Sequence, residues 1–223
     1  MAKRSHKRAK SAAAPRRRPR RAVVSPSPDE LFDQMGTSTL LANNRSIFKQ
    51  GAPAEYLYKV ESGCVRTCSN LDGSRRRIHA FYFPGEYFGL ETSEGHSVFA
   101  ETVVPSELRL VKRQTLAVRA AHDIDIVHVL LHITIKELQR IRNHNLLLFK
   151  RVHERLFGFL CEIHRHNPSK REIDLPMTRS DIADYLDLTI ETVSRALTRL
   201  KNTSAISMLS NRRVVLSGPA ARN

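Results

Sequence analysis

Between residues 191 and 199 the chain carries Glu191, Thr192, Ser194, Arg195 and Arg199, alternating with the apolar Val193, Ala196, Leu197 and, just beyond, Leu200. At helical spacing the first group forms a polar face and the second a buried stripe. Carboxylate, hydroxyl and guanidinium groups in such a row are able to accept from base amines, donate to guanine, and grip phosphate in a major groove. The bland alternative is a solvated helix face. Such groups read DNA only if a partner helix presents them, so the flanking residues decide. Thr178 is placed to cap a preceding helix, with Asp181 three residues on completing a capping box. Ile182, Tyr185 and Leu186 give that helix its buried stripe, and the small Ala183 lets a second helix cross closely. Asp187 stands where the chain must turn, and Asp is among the few non-glycine residues that tolerate left-handed angles. Thr189 caps the second helix. Arg179 and Ser180, at the start of the first helix, join Thr189, Glu191, Thr192, Ser194, Arg195 and Arg199 as candidate DNA contacts. Two short apolar runs around Ser210, Asn211 and Arg212 predict a hairpin wing, and a strand-like run precedes Pro176. Two helices plus a wing are far more specific than either alone.

On these residues, 45–217 resemble a transcription regulator of the Crp/Fnr superfamily, and within it the FixK-like branch. The branch's E-x-x-S-R pattern stands here as Glu191, Ser194 and Arg195, and LPMTRSDIADYLDLTIETVSRAL follows it almost throughout. Asp187 departs from it, since the family usually has glycine there. The resemblance implies a homodimer on a TTGAT, four bases, ATCAA palindrome, acting mainly as an activator with RNA polymerase as partner. It also implies control of microaerobic or nitrogen-fixation genes. Arg195 would take guanine, Glu191 a cytosine or adenine amine, and Ser194 a thymine or phosphate.

Residues 45–112 read as short strands with corners at Gly51, Gly63, Asp72-Gly73 and Pro84-Gly85, a small antiparallel roll. Gly51, Tyr58, Val60, Gly63, Val65 and Arg66 are spaced as in the superfamily's sensor roll. That roll often binds a cyclic nucleotide through a carboxylate on the ribose and an arginine on the phosphate. Here Gly89 is kept, Leu90 replaces the carboxylate, the loop LETSEGHS is short, and His96 beside Ser97 replaces the arginine. A neutral imidazole cannot replace a bidentate guanidinium. Ile141 and Arg142 replace the hydroxyl pair that meets the adenine. The pocket of Gly89, Leu90, His96 and Ser97 is therefore expected to be vestigial, with no cyclic nucleotide and no cofactor. An Fnr-type iron–sulfur cluster needs four thiolates, and only Cys64, Cys68 and Cys161 exist. All three read as buried small hydrophobes. No metal set, nucleophile–base pair or phosphate-cradling glycine loop is evident, so an enzyme is not expected.

Residues 123–150 contain no Pro or Gly and predict one long helix. Leu138, Ile141, Asn145, Leu148 and Val152 step by three and four, a coiled-coil seam in which one buried Asn fixes a dimeric register. Ten of the 37 Lys and Arg lie in residues 1–28, which hold no acid and little to bury. That tail is expected to be disordered, adding sequence-blind affinity for phosphates or simply being solvated. The formal charge of +15 fits a polyanionic partner. No apolar run reaches the roughly 18 residues of a membrane span, and no signal-peptide pattern opens the chain, so a soluble cytoplasmic protein is expected.

The expected fold is α+β: a tail over 1–28, a cyclic-nucleotide-binding-like roll over 29–122, a dimerisation helix over 123–152 and a winged helix-turn-helix over 153–223. The runner-up is a ligand-gated Crp-type regulator with a pocket remodelled around His96 and Arg142. From another class, the roll and wing could form a protein- or RNA-binding signalling or scaffold module.

Overall fold

The structure, a computed structural model, describes residues 27–71, 75–166 and 172–217. Most of the basic tail and the Asp72-Gly73 corner lie outside the described residues. The chain begins with α1 (Pro28–Met35), whose Ser27 accepts from the backbone N–H of Glu30 while Glu30 reaches back to Ser27. Pro28, assigned by sequence to the tail, is thus a helix residue: this capping box, with Pro at the first helical position, starts a helix there.

The roll follows as β1 (Thr37–Leu41), β2 (Ser46–Phe48), β3 (Tyr56–Ser62), β4 (Val65–Leu71), β5 (Arg75–Tyr82), β6 (Tyr87–Phe88), β7 (Phe99–Thr102) and β8 (Ser106–Lys112). They form two antiparallel four-stranded sheets, ordered β1-β8-β3-β6 and β2-β7-β4-β5. Phe48, Tyr58, Val60, Val65, Ala80, Tyr82, Phe88 and Leu108 form the core of the roll. Gly89, at φ +88°, lies so close to Tyr58 that a Cβ would come within 2.8 Å of its ring.

A bulge gives β5 two outward faces. Thr67 pairs with Ala80 but Cys68 with Ile78, so His79 is the extra residue. Ala80 and Tyr82 then point into the roll, while Ile78 before the bulge and Phe81 after it both join the outer core. On β4, period two puts Val65 inside and Cys68 outside, with Cys64 just before the strand on the outer side too. Burial pushes both thiols well up from their ordinary range, so they pack as hydrophobes.

After α2 (Arg113–Ala120) comes α3 (Ile124–Leu148), which buries Ile126, Val129 and Ile133 against Leu31, Phe32 and Tyr87. The expected single helix over 123–152 is two. Helix α3 stops at Leu148, and Val152 is the first residue of α4 (Val152–Arg165). Val152 is therefore not on the seam of Leu138, Ile141, Asn145 and Leu148. The break is held by Arg155, whose Nη2 donates to the carbonyls of Leu148 at 2.6 Å and Lys150 at 3.3 Å. Arg155 fills acceptors that helix ends leave open.

The C-terminal part comprises α4, β9 (Glu172–Asp174), α5 (Arg179–Leu186), α6 (Ile190–Asn202), β10 (Ile206–Ser210) and β11 (Arg213–Leu216), the strands ordered β10-β11-β9. Its core is continuous with the outer face of the roll: Cys64, Cys68, Ile78, Phe81 and Phe83 join Phe159, Ile182, Tyr185, Leu186 and Val193 in one cluster.

Candidate nucleic-acid interface and the cavity of the roll

Thr178 accepts from the backbone N–H of Asp181 at 3.1 Å, and Asp181 accepts from that of Thr178 at 3.0 Å. The capping box expected from sequence is present. Asp187 ends α5 at φ 53°, ψ 52°, the left-handed conformation, and the N–H of Leu188 donates to the carbonyl of Ala183 at 2.9 Å. Such a turn is one Asp is able to make without glycine. Thr189 then accepts from the N–H of Thr192 at 3.2 Å and starts α6.

Helix α6 buries Val193, Ala196, Leu197 and Leu200, as its periodicity predicts, and leaves Glu191, Arg195, Thr198 and Arg199 exposed with Thr192 and Ser194 half-buried. Arg195 donates to the hydroxyl of Thr192 at 3.3 Å, within its own helix, so its fork is oriented rather than consumed. The N–H of its own residue and the Thr189 hydroxyl hold the Glu191 carboxyl below its usual range, with Arg195 adding to the effect. It therefore stays an acceptor at any ordinary pH. Arg179 donates to Ser194 at 3.3 Å and to Asn211 at 3.4 Å, joining α5, α6 and the wing turn. Ser180 is half-buried at the start of α5, and Thr189 is exposed. Seven of the eight candidates thus lie on α5 and α6, and Thr189 is the cap of α6. Two neighbours were missed by the sequence reading. Thr198, whose hydroxyl donates to the carbonyl of Ser194 at 3.1 Å, lies on the same face, and Asn211 enters through Arg179. Thr198 was legible, one turn on from Ser194, whereas Asn211 needed the wing to fold back.

The roll's cavity is different. It has a volume of ≈ 560 Å³ and is lined by residues that include Phe48, Arg77, Tyr82, Gly89, Leu90, Ser97, Arg140, Ile141 and His144. The expected remodelled pair does not line it. His96 is buried, stacked on Phe48 with ring centroids 3.5 Å apart and planes within 7°. Its Nδ1 is 3.7 Å from a Glu91 oxygen, too far for a hydrogen bond, and burial lowers its pKa. Arg142 is exposed and does not line the cavity. A step of two residues along a helix turns a side chain by about 200°, so Arg140 and His144 face the cavity instead. Ser97 donates its N–H and hydroxyl to Glu91, both at 3.0 Å. Arg140 is held by Glu137 at 2.5 Å and by Tyr82 at 3.2 Å. The cavity exists, and in its wall Ser97 is bound to Glu91 and Arg140 to Glu137 and Tyr82, while the buried Nδ1 of His144 has no hydrogen-bond partner among the described residues.

A sensor-type roll whose outer face carries a winged helix-turn-helix, with an open polar face on the second helix, defines a DNA-binding transcription regulator. Residues 154–221 match the Crp-like helix-turn-helix domain family, and 39–121 match the cyclic nucleotide-binding domain family. The nitrogen fixation regulation protein FixK of Azorhizobium caulinodans is 40% identical over 203 residues, covering 88% of this chain and 82% of the relative. The protein of the same name from Rhizobium meliloti is 35% identical over 178 residues, 79% of this chain and 81% of its own. The solved structure of FixK2 from Bradyrhizobium japonicum superposes with a TM-score of 0.78 at 38% identity, over 82% of this chain and 93% of that one. The chain belongs to the FixK-type regulators of the Crp/Fnr superfamily.

Proposed function

We propose that the protein works as a homodimer on a palindromic operator, mainly as an activator that engages RNA polymerase in the cytoplasm. It needs no cyclic nucleotide. The observation that carries this is an exposed apolar stripe on the same chain as the open face of α6. Along α3, Ile124, Val127, Leu131, Leu138 and Ile141 are all exposed, at intervals that keep one heptad phase. Contiguous apolar surface of this kind marks an interface. Asn145 is exposed on the same seam, where facing its twin would set the register. Pairing two copies along α3 places two α6 helices about one DNA turn apart. The name the FixK relatives carry, nitrogen fixation regulation protein, supports nitrogen-fixation genes as targets. Microaerobic genes and the TTGAT, four bases, ATCAA site follow from the resemblance carried by Glu191, Ser194 and Arg195.

A mobility-shift titration of a palindromic duplex of about 20 base pairs tests this, with and without cyclic AMP. Cooperative binding of two chains, unchanged by cyclic AMP, is expected. Leu138→Glu should give a monomer in sedimentation and bind the palindrome no better than a single half-site. A variant that stays dimeric would remove α3 as the seam. The second reading, a ligand-gated regulator, is favoured by the cavity itself: an effector would meet Arg77, Arg140 and His144. Tightening by a nucleotide would promote it.

A further inference from the structure

Asp181 holds two sets of donors at once. Its Oδ2 completes the cap of α5, accepting from the N–H and hydroxyl of Thr178 at 3.0 and 2.8 Å. Its Oδ1 accepts from the roll, from Arg66 Nη1 at 3.0 Å and Arg76 Nη2 at 2.6 Å. Arg76 also reaches Asp184 at 3.2 Å, and Arg66 is backed by Glu101 at 2.9 Å. Asp181 is 3% exposed. A cap requires only a carboxylate at this position, not one buried against another domain. Burying ions is costly, and the best-attested use of a buried pair is to fix an arrangement rather than to add stability.

The other end of α5 is held as well. Arg155 Nη1 donates to the carbonyl of Leu186 at 2.8 Å, while its Nη2 holds the end of α3. Between the two ends, Tyr185 packs edge-on to Phe81 at 5.2 Å and stacks on His144 of α3 at 4.2 Å. Helix α5 is thus pinned to the roll at its start, to the dimer helix along its middle, and to the α3–α4 joint at its end. Because α6 packs on α5, this mounting sets the angle at which α6 leaves the molecule.

We propose that Arg66 and Arg76 are positioning residues for operator reading. By gripping the capping carboxylate of α5 they set the orientation of α6 in the absence of any effector. In a dimer they therefore set the half-site spacing that the protein accepts. This rests on the palindrome reading above. One base pair of extra spacer moves a half-site by about 3.4 Å and about a tenth of a turn. A domain held by two guanidinium groups resists that displacement, whereas one left with only the apolar packing around Tyr185 and the Arg155 joint follows it more readily.

The test uses full-length Arg66→Gln, Arg76→Gln and Asp184→Asn against palindromes with the best spacer and with one base pair more or fewer. Wild type should prefer one spacing. In Arg66→Gln and Arg76→Gln the ratio of best to off-spacing affinity should fall about tenfold, the size of a coupling within one ion-pair network. Asp184→Asn should shift it the same way by less. Preferences for single bases within a half-site should not change. Partial unfolding would lower all affinities alike and leave the ratio intact, and thermal melts identify it. Should Arg66→Gln fail to fold, the other two carry the test, since their side chains are 30% and 25% exposed. Folded variants that keep the wild-type ratio overturn the proposal. A wild type that binds no palindrome would overturn the DNA reading beneath it.

Discussion

Helix α6 and the cavity of the roll both present arginines, hydroxyls and a carboxylate, yet they differ in what those groups already hold. On α6 Glu191, Arg195 and Arg199 are exposed, and the hydroxyls' bonds stay local, such as Arg195 with Thr192 at 3.3 Å and Thr192 with Thr189 at 3.0 Å. In the cavity, Ser97 is spent on Glu91, Arg140 on Glu137 and Tyr82, and Arg113, beside it, on the carbonyls of Ala54 and Glu91. Residue type alone does not distinguish the two. A ligand at α6 meets exposed groups such as Glu191, Arg195 and Arg199, whereas a ligand in the cavity that uses Ser97 or Arg140 must first break bonds inside the protein. Exposure and prior commitment, rather than residue type, are what separate the two regions.

The sharpest way to break this contrast is at Arg195. Arg195→Ala should weaken operator binding by about 1–3 kcal/mol and relax discrimination at the guanine position. A panel of single-base operators measures this, and wild-type preferences in the variant would remove Arg195 from the reading.

The next effect lies on the cavity side. Burial, helped by Arg140 and Arg77, lowers the pKa of His144 to about 4, against about 6.5 in an unfolded chain. The folded protein binds fewer protons between those values. This contribution to stability is therefore whole above about pH 6.5 and is lost as pH falls through about 4. From pH 7 to 5, after allowance for solvent screening, it amounts to about 1 kcal/mol. His144→Gln should lose about that much less than wild type in urea unfolding at the two pH values. Equal losses would place the histidine in a more watery site than its stacking on Tyr185 implies.

A smaller effect is expected from the basic N-terminal residues, which carry charge and little to bury. Deleting residues 2–26, which leaves the Ser27 cap of α1 in place, should flatten the plot of log affinity against log salt by about 0.9 for each phosphate no longer neutralised. The ratio of specific to non-specific binding should stay constant. A collapsed ratio would show that these residues read a groove, and an unchanged slope that they never reach DNA. The smallest effect is at Ser97 and for the ligand of the cavity. Ser97→Ala should change operator affinity by less than about 0.5 kcal/mol. Calorimetric titration of cyclic AMP or cyclic GMP should give no heat. Saturable binding that tightens the operator complex would erase the contrast between cavity and helix.

The reading motif was legible because it is local. A cap three residues from its partner, a stripe at helical spacing and an Asp at a left-handed turn are each set within a few residues. The same rule would have found α1, since Ser27, Pro28 and Glu30 form a helix start. Counting charge over 1–28 hid it. Periodicity also placed Leu138 and Ile141 on the exposed side of α3, although it ran the seam on to Val152. There the helix ends because Arg155 takes the carbonyls of Leu148 and Lys150. Nothing local marks that choice, for a guanidinium several residues on has many carbonyls within reach.

The sequence by itself therefore determined the two helices, the wing, the roll and the type of chemistry on α6, because short-range sterics and burial specify them. Only the tertiary structure decided what the polar groups do. Arg66 and Arg76 meet Asp181 across 115 and 105 residues. Arg140 and His144, not His96 and Arg142, face the cavity. Pairing across such distances depends on how two domains pack and where a bulge turns a strand, and no spacing along the chain encodes it.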